Sequence, residues 1–201
     1  MLVMDKKREA IIEGAIKRFI HYGIQKTTMN EIAEDLSVTK PSLYYYYPDK
    51  SSLVEGVIEK VFSDYFEALQ KDLYTDIPLE ERFAIFIDIR FKFFQKYYML
   101  HLSGVTPDVS LNSDTLKATF MAMKKKNVEI YADILNRAIG NGEIVEVELE
   151  KTAELYLESM MGITSLCIMH GNKELFPSKK EMKIILEKQH ILSKIFVKGL
   201  K

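Results

Sequence analysis

Residues 28–47 carry two helix starts in close succession, and no other stretch limits the possible folds as sharply. Thr28 with Glu31 three residues on makes a capping box, in which a hydroxyl and a carboxylate satisfy the first backbone N–H groups of a helix. That helix reads as short, through Ile32 and Ala33 to Leu36. Ser37-Val38 form a turn, and Lys40 to Tyr45 form another short helix, with Pro41 in the first turn, where its missing N–H costs nothing. Upstream, Lys6 to His21 is a longer amphipathic helix with Ile12, Ala15, Ile16 and Phe19 on one face, and Gly23 ends it. Ala33 is small enough for the third helix to pack close to the second. Val38 and Leu43 then join Ile32 and Phe19 in a miniature core, which leaves Thr39, Lys40, Ser42, Tyr44 and Tyr45 with faces outside it.

The rest of the chain also reads as helix. Pro48-Asp49 break the third helix, and Asp49 or Ser51 can cap a fourth that passes Leu53, Val57, Val61 and Phe62 toward Leu73. Tyr74 to Pro78 reads as a hinge. Beyond it the periodicity predicts helices at Glu80–Leu102, Asp114–Ile139, Glu150–Met169 and Lys179–Val197, with one more helical turn possible near Thr106–Ser113. Gly140-Asn141-Gly142 and Gly171-Asn172 are breaks suited to left-handed C-caps. No stretch alternates with period two. The fold class is all-α: a three-helix helix-turn-helix domain over 1–50, a linking helix over 50–73 and a helical ligand-binding and dimerisation domain over 74–201.

Two short helices meeting at a tight turn after a support helix is the arrangement that puts a recognition helix into the DNA major groove. The net charge of −1 requires that DNA binding be argued locally, because a chain that coats nucleic acid is usually far more basic. Cys167 is the only cysteine; it excludes a disulfide framework and reads as a buried thiol or a redox sensor. His101 and His170 have no second ligand at metal spacing, so no metal is expected. The charged N-terminus does not resemble a signal peptide and no apolar run approaches about 18 residues, so a soluble cytoplasmic protein without a membrane partner is expected.

The stretch Ile11 to Phe19, then Tyr22-Gly23, Thr27-Thr28-Met29, Ile32-Ala33, Val38-Thr39-Lys40, Leu43 to Tyr47, Asp49-Lys50 and Leu53, resembles the signature of the TetR family of transcriptional regulators. The resemblance covers about the first quarter of the chain and holds many positions at fixed spacing. It implies that Lys40 and Tyr44 read bases, with Pro41 offering an apolar contact such as a thymine methyl. It also implies that Thr28, Ser42, Tyr45, Tyr46 and Lys50 clamp phosphates, with Thr39 beside them on the same outer face. Ser37 stands where the turn commonly has Gly; a positive φ there costs Ser about 1 kcal/mol. Pro41 replaces a small residue, and Tyr46-Tyr47 replace a His-Phe pair, so Tyr47 reads as core. These departures bear on which operator is read.

The resemblance further implies a homodimer on double-stranded operator DNA, for which two-fold symmetry demands a self-complementary surface. The last two helices suit it: Met160, Met161, Ile163, Leu166 and Ile168, with Met182, Ile185, Leu192, Ile195 and Phe196, are more apolar than one buried face needs, unless they all close the monomer's own core. The helix from Glu80 is aromatic on nearly every side. Arg90 lies about 200° around it from Asp88, amid Phe86, Ile87, Phe93 and Phe94. Such a guanidinium needs a partner. Either Glu154 or Glu158 supplies one, or Arg90 orients an unknown small-molecule effector in a pocket lined by Phe94, Tyr98, Phe120, Met123, Tyr131 and Met160. The expected function is a ligand-responsive repressor. A helical enzyme is the competing class, but no nucleophile–base pair, P-loop or dinucleotide fingerprint is present and no cofactor is expected. A small-molecule carrier that has lost operator binding is the third.

Overall fold

The computed structural model describes residues 2–73, 75–98, 114–170 and 177–201, with side chains over 6–71, 75–98, 117–169 and 177–201. The described residues form eight helices and no strand. They are α1 (Leu2–Tyr22), α2 (Met29–Asp35), α3 (Lys40–Tyr46), α4 (Lys50–Leu73), α5 (Leu79–Lys96), α6 (Asp114–Gly140), α7 (Leu149–His170) and α8 (Lys179–Gly199). The all-α reading is met. One boundary is corrected: the helix opening near Glu80 ends at Lys96, with a turn at Tyr97, not at Leu102. The expected turn at Thr106–Ser113, the Gly171-Asn172 break and His101 lie outside the described residues.

The chain divides into two compact units, residues 1–65 with 96–120 and residues 66–95 with 121–201. In the first, α2 and α3 have seven residues each, too few to be stable alone in water. They survive by packing: Ala15 and Phe19 of α1, Ile32 and Ala33 of α2, Leu43 of α3, and Leu53 and Val57 of α4 are all buried. Val38, expected in this core, is only half-buried. At Gly14 an added Cβ would lie 2.5 Å from Leu36 Cδ2, so α1 and α2 meet where one of them has no side chain.

The α2–α3 turn closes as a Schellman motif. Ser37 N–H donates to Glu34 O at 3.0 Å and Val38 N–H to Ala33 O at 3.0 Å. Closing both bonds puts Ser37 at φ +54°, in the left-handed region, as the sequence suggested for the place of a glycine. The start of α2 is the expected capping box. Thr28 N–H donates to Glu31 Oε2 at 2.7 Å, and Glu31 N–H donates back to Thr28 Oγ1 at 3.3 Å. Arg18 of α1 braces this corner, reaching Glu31 at 2.9 Å and Asp35 at 2.7 Å. The Thr28 N–H and hydroxyl, with the Arg18 charge, hold the Glu31 carboxyl below its ordinary value of 4.5.

The second unit is organised by aromatic rings. Phe83 and Phe86 of α5 pack on Tyr131 of α6, with centroids 5.4 and 5.7 Å apart, and Phe83 packs on Tyr156 of α7 at 4.5 Å. Tyr156 also lies 4.9 Å from Phe196 of α8, and its hydroxyl donates to Ser193 Oγ at 3.0 Å. Burial pushes the Tyr156 phenol far up, against the lowering effects of the Ser193 hydrogen bond and the Arg90 charge. Gln189 of α8 donates to Met160 O at 3.1 Å and Thr164 Oγ1 at 3.0 Å, fixing the register of α7 against α8. The α6–α7 connection turns at Gly142, φ +72°, and sends Glu143 to accept from Leu79 N–H at 2.6 Å, capping α5.

Two outcomes test this fold. Ser37→Gly is expected to raise stability by about 1 kcal/mol in a denaturant titration, and Ser37→Val to lower it; a lower midpoint for the glycine variant would contradict the left-handed turn. Because the folded state lowers the Glu31 value, the Glu31 contribution is full above the unfolded carboxyl value near 4.5. It is lost as pH falls through the lower folded value. Melting between about pH 5 and pH 3 should therefore depend less steeply on pH in Glu31→Gln than in wild type, and equal slopes would remove the cap from the acid sensitivity.

Candidate nucleic-acid interface

The helix α3 has one side committed to the core and the other free. Leu43 is fully buried and Tyr47, one residue past the helix, is 1% exposed, as expected for a core tyrosine. Thr39 caps the helix by accepting from Ser42 N–H at 3.3 Å, and Pro41 occupies the first turn without losing an intrahelical bond. With Leu43 facing in, Thr39, Lys40, Pro41, Tyr44 and Tyr45 are exposed and Ser42 and Tyr46 half-buried. Lys40 and Tyr44 stand four residues apart, which stacks them on one helical stripe, as it does Pro41 and Tyr45. Tyr45 is 71% exposed, and its ring meets that of Tyr46 edge to face at 5.2 Å. Lys40 has no ion-pair partner among the described residues, so its ammonium is available.

The predicted backbone contacts are less uniform. Lys50 opens α4, and its Nζ lies 3.5 Å from Gln25 O, which brings the α1–α2 loop beside the start of α4. Of the two caps considered for α4, Asp49 serves: it accepts from Ser52 N–H at 2.7 Å. Thr28 is exposed, but its hydroxyl donates to Glu31 Oε2 at 2.9 Å, so it meets solvent as part of the capping box. Its neighbour Thr27 is 1% exposed, with its hydroxyl on Gly23 O at 2.8 Å, a structural role that sequence reading did not separate from that of Thr28.

The residues expected around an effector fall in both units. In the first, Tyr98 is buried and Phe120 exposed. In the second, Met123, Tyr131 and Met160 are buried, and Arg90 and Phe94 are half-buried. Tyr131 is enclosed by the rings of Phe83, Phe86 and Tyr156. Glu154 and Glu158, the carboxylates considered for Arg90, are held by Lys124 at 2.7 and 3.0 Å, and no ion pair of Arg90 is found among the described residues. The arginine that is buried is Arg82, 5% exposed, whose guanidinium donates to Thr75 O. Its place four residues before Phe86 on one helical face was the signal for it.

On α7 and α8 the apolar residues split between two faces. Met160, Met182 and Ile185 are buried, whereas Leu155, Met161, Leu166 and Met169 of α7 and Ile191 and Ile195 of α8 are each more than half exposed. Among the described residues no helix is long and apolar enough to cross a membrane, and no group of three or more His, Cys, Asp or Glu side chains could hold a metal ion.

Comparison with known proteins bears on the first unit most directly. The family model for bacterial regulatory proteins of the tetR family matches residues 11–57, which hold α2, α3 and the start of α4. The biofilm operon icaADBC HTH-type negative transcriptional regulator IcaR of Staphylococcus epidermidis is 23% identical over 107 residues, covering 53% of this chain and 58% of that regulator. Over nearly full length, the crystal structure of a transcriptional regulator from Cytophaga hutchinsonii superposes with a TM-score of 0.84 at 31% identity, covering 96% of this chain and 98% of that one. The fold is shared also by AibR, solved in complex with isovaleryl coenzyme A and operator DNA, at a TM-score of 0.61 and 19% identity over 92% of this chain and 96% of that one. With its exposed recognition helix set on a buried three-helix core, the chain belongs to the TetR family of bacterial transcriptional regulators.

Proposed function

We infer that this regulator is a repressor that binds a two-fold symmetric operator as a homodimer and is released by a small molecule. The observation that carries the DNA-binding part is the division of α3, with Leu43 fully buried behind it and Lys40, Pro41, Tyr44 and Tyr45 exposed in front. Lys40 and Tyr44 read base edges and Pro41 meets an apolar group such as a thymine methyl. Ser42, Tyr45, Tyr46 and Lys50, with Thr28 and Thr39 at the helix starts, serve the phosphates and sugars. A phenol suits such work, because its hydroxyl donates to phosphate while its ring packs on sugar. Affinity then rests on a modest number of backbone contacts per subunit, in keeping with a net charge of −1.

A second copy covers the exposed apolar face of α7 and α8. Six large apolar side chains on two neighbouring helices exceed the scattered exposure of a monomeric surface, and a dyad operator calls for a two-fold protein. Repression is supported by the regulator IcaR, described as a negative regulator. A small-molecule effector is supported by the acyl coenzyme A in AibR. In this chain Arg90 is the candidate for orienting the effector, and Phe94, Met123, Tyr131 and Met160 of the same unit are the candidates for lining its pocket. Arg90 is half-buried, and its charge acts on the Tyr156 phenol. The effector must bind the two states of the regulator with different affinity. The linking helix is one unbroken run of 24 residues from Lys50 to Leu73, stiff enough to carry a tilt to its first residue. A site of action on DNA supports a cytoplasmic location.

The test is operator binding by mobility shift, starting with the DNA upstream of its own gene. Lys40→Ala and Tyr44→Ala should each weaken specific binding by about tenfold to a hundredfold and leave non-specific binding almost unchanged. Lys50→Ala should weaken both and reduce the salt slope by about one. Wild-type protein that shifts no DNA over competitor would contradict the reading and favour a carrier. For the dimer, Leu166→Glu with Ile195→Glu should halve the mass in sedimentation while keeping the helical spectrum; an intact dimer would move the interface elsewhere.

A further inference from the structure

The recognition helix is short, and within its seven residues only Leu43 is buried. One anchor fixes where such a helix sits but not the angle at which it sits. The second anchor is Tyr47, whose N–H donates to Leu43 O at 3.0 Å and whose ring enters a wedge between α1 and α4. On the α4 side the wedge is open because residue 56 is glycine. A Cβ there would stand 3.2 Å from a Tyr47 ring carbon, 3.3 Å from the phenol oxygen and 3.4 Å from Ile12 Cδ1. On the α1 side, Arg8 Nε donates to the phenol oxygen at 3.2 Å, and its guanidinium carbon lies 5.2 Å from the ring centroid. The guanidinium thus meets the phenol oxygen through a hydrogen bond while lying near the ring, and a buried phenol needs such a partner.

The geometry points to a positioning role for Arg8 and Tyr47: together they set the angle of the recognition helix against α1 and α4, and Arg8 acts through Tyr47, not on a phosphate. The inference rests on the operator-binding reading above. A phenylalanine at 47 would fill the same wedge and bury the same ring, but it would leave α1 without its hold on the end of α3. The phenol oxygen is what turns packing into a fixed orientation. Tyr47 is buried and Arg8 stands exposed on α1, so neither belongs to the exposed stripe of α3, and loss of the pair should reach the DNA only through the pose of Lys40 and Tyr44.

The test uses full-length protein and an operator fragment recovered by selection from genomic DNA, with binding measured over a salt series and melting measured alongside. Tyr47→Phe and Arg8→Ala are each expected to weaken specific binding about threefold to tenfold, with the salt slope and non-specific binding unchanged. The double variant should be no weaker than the weaker single variant, since both remove one interaction. Arg8→Ala alone takes away the phenol's hydrogen-bond partner and should lower the melting temperature, and adding Tyr47→Phe should restore part of it. Gly56→Ala, which presses on the ring without touching the charge, should weaken specific binding in wild type and less so in Tyr47→Phe. A salt slope lowered by about one in Arg8→Ala, with Tyr47→Phe binding like wild type, would make Arg8 a phosphate contact and overturn the proposal. Additive losses in the double variant would overturn it too. Wild-type protein that recovers no specific fragment would overturn the operator reading itself, and this role with it.

Discussion

The burial of Leu43, the one buried side chain of α3, is the constraint on which the rest of this molecule's function depends. A seven-residue helix cannot hold itself in water, and α3 is held by what lies behind it: Leu43 fully buried, Phe19 and Ala15 of α1, Ile32 and Ala33 of α2, and Leu53 of α4. With Leu43 and, one residue past the helix, Tyr47 both turned inward, the outward side is fixed as well, and Lys40 and Tyr44 are presented in one orientation. The strain of Ser37 in the left-handed region belongs to the same economy of space. The turn must be tight enough for Val38 N–H to reach Ala33 O, and a slack turn would let α3 leave the core.

Electrostatics follows the same logic on a local scale. A chain of net charge −1 has no general attraction for DNA, and α2 carries Glu31, Glu34 and Asp35 close to the recognition helix. Arg18 offsets two of these carboxylates, and the capping box turns one of them toward the α2 backbone. What remains for a phosphate is a small number of cations and hydroxyls. Such an interface gains more from orientation than from total charge.

Much of this could be read from the sequence, because the first unit is built from local signals. Thr28 with Glu31, Pro41 in a first turn and apolar residues spaced for one face each report on a few neighbouring residues. Ser37 was legible through the family resemblance, which puts a glycine at that place in the turn. The second unit was less legible. The aromatic run from Phe83 to Tyr98 contains no glycine or proline, so nothing marked the end of α5 at Lys96. Arg90 drew attention by its phenylalanine neighbours in sequence, while the arginine that packing buries is Arg82. The pairing of Glu154 and Glu158 with Lys124 was a choice among several exposed charges that spacing alone does not decide. Tyr131 closed among three rings depends on which helices meet, and periodicity does not carry that. The Arg8–Tyr47 contact spans 39 residues and was foreshadowed only by the tyrosine's standing in an apolar place.

The central claim is that α3 reads DNA from two copies of this chain related by a two-fold axis. The most direct measurement is footprinting of the fragment the protein selects from genomic DNA. The claim predicts one protected region with inverted half-sites whose centres lie about one helical turn, or a multiple of it, apart. A single unpaired half-site, direct repeats, or no protection above competitor would contradict it.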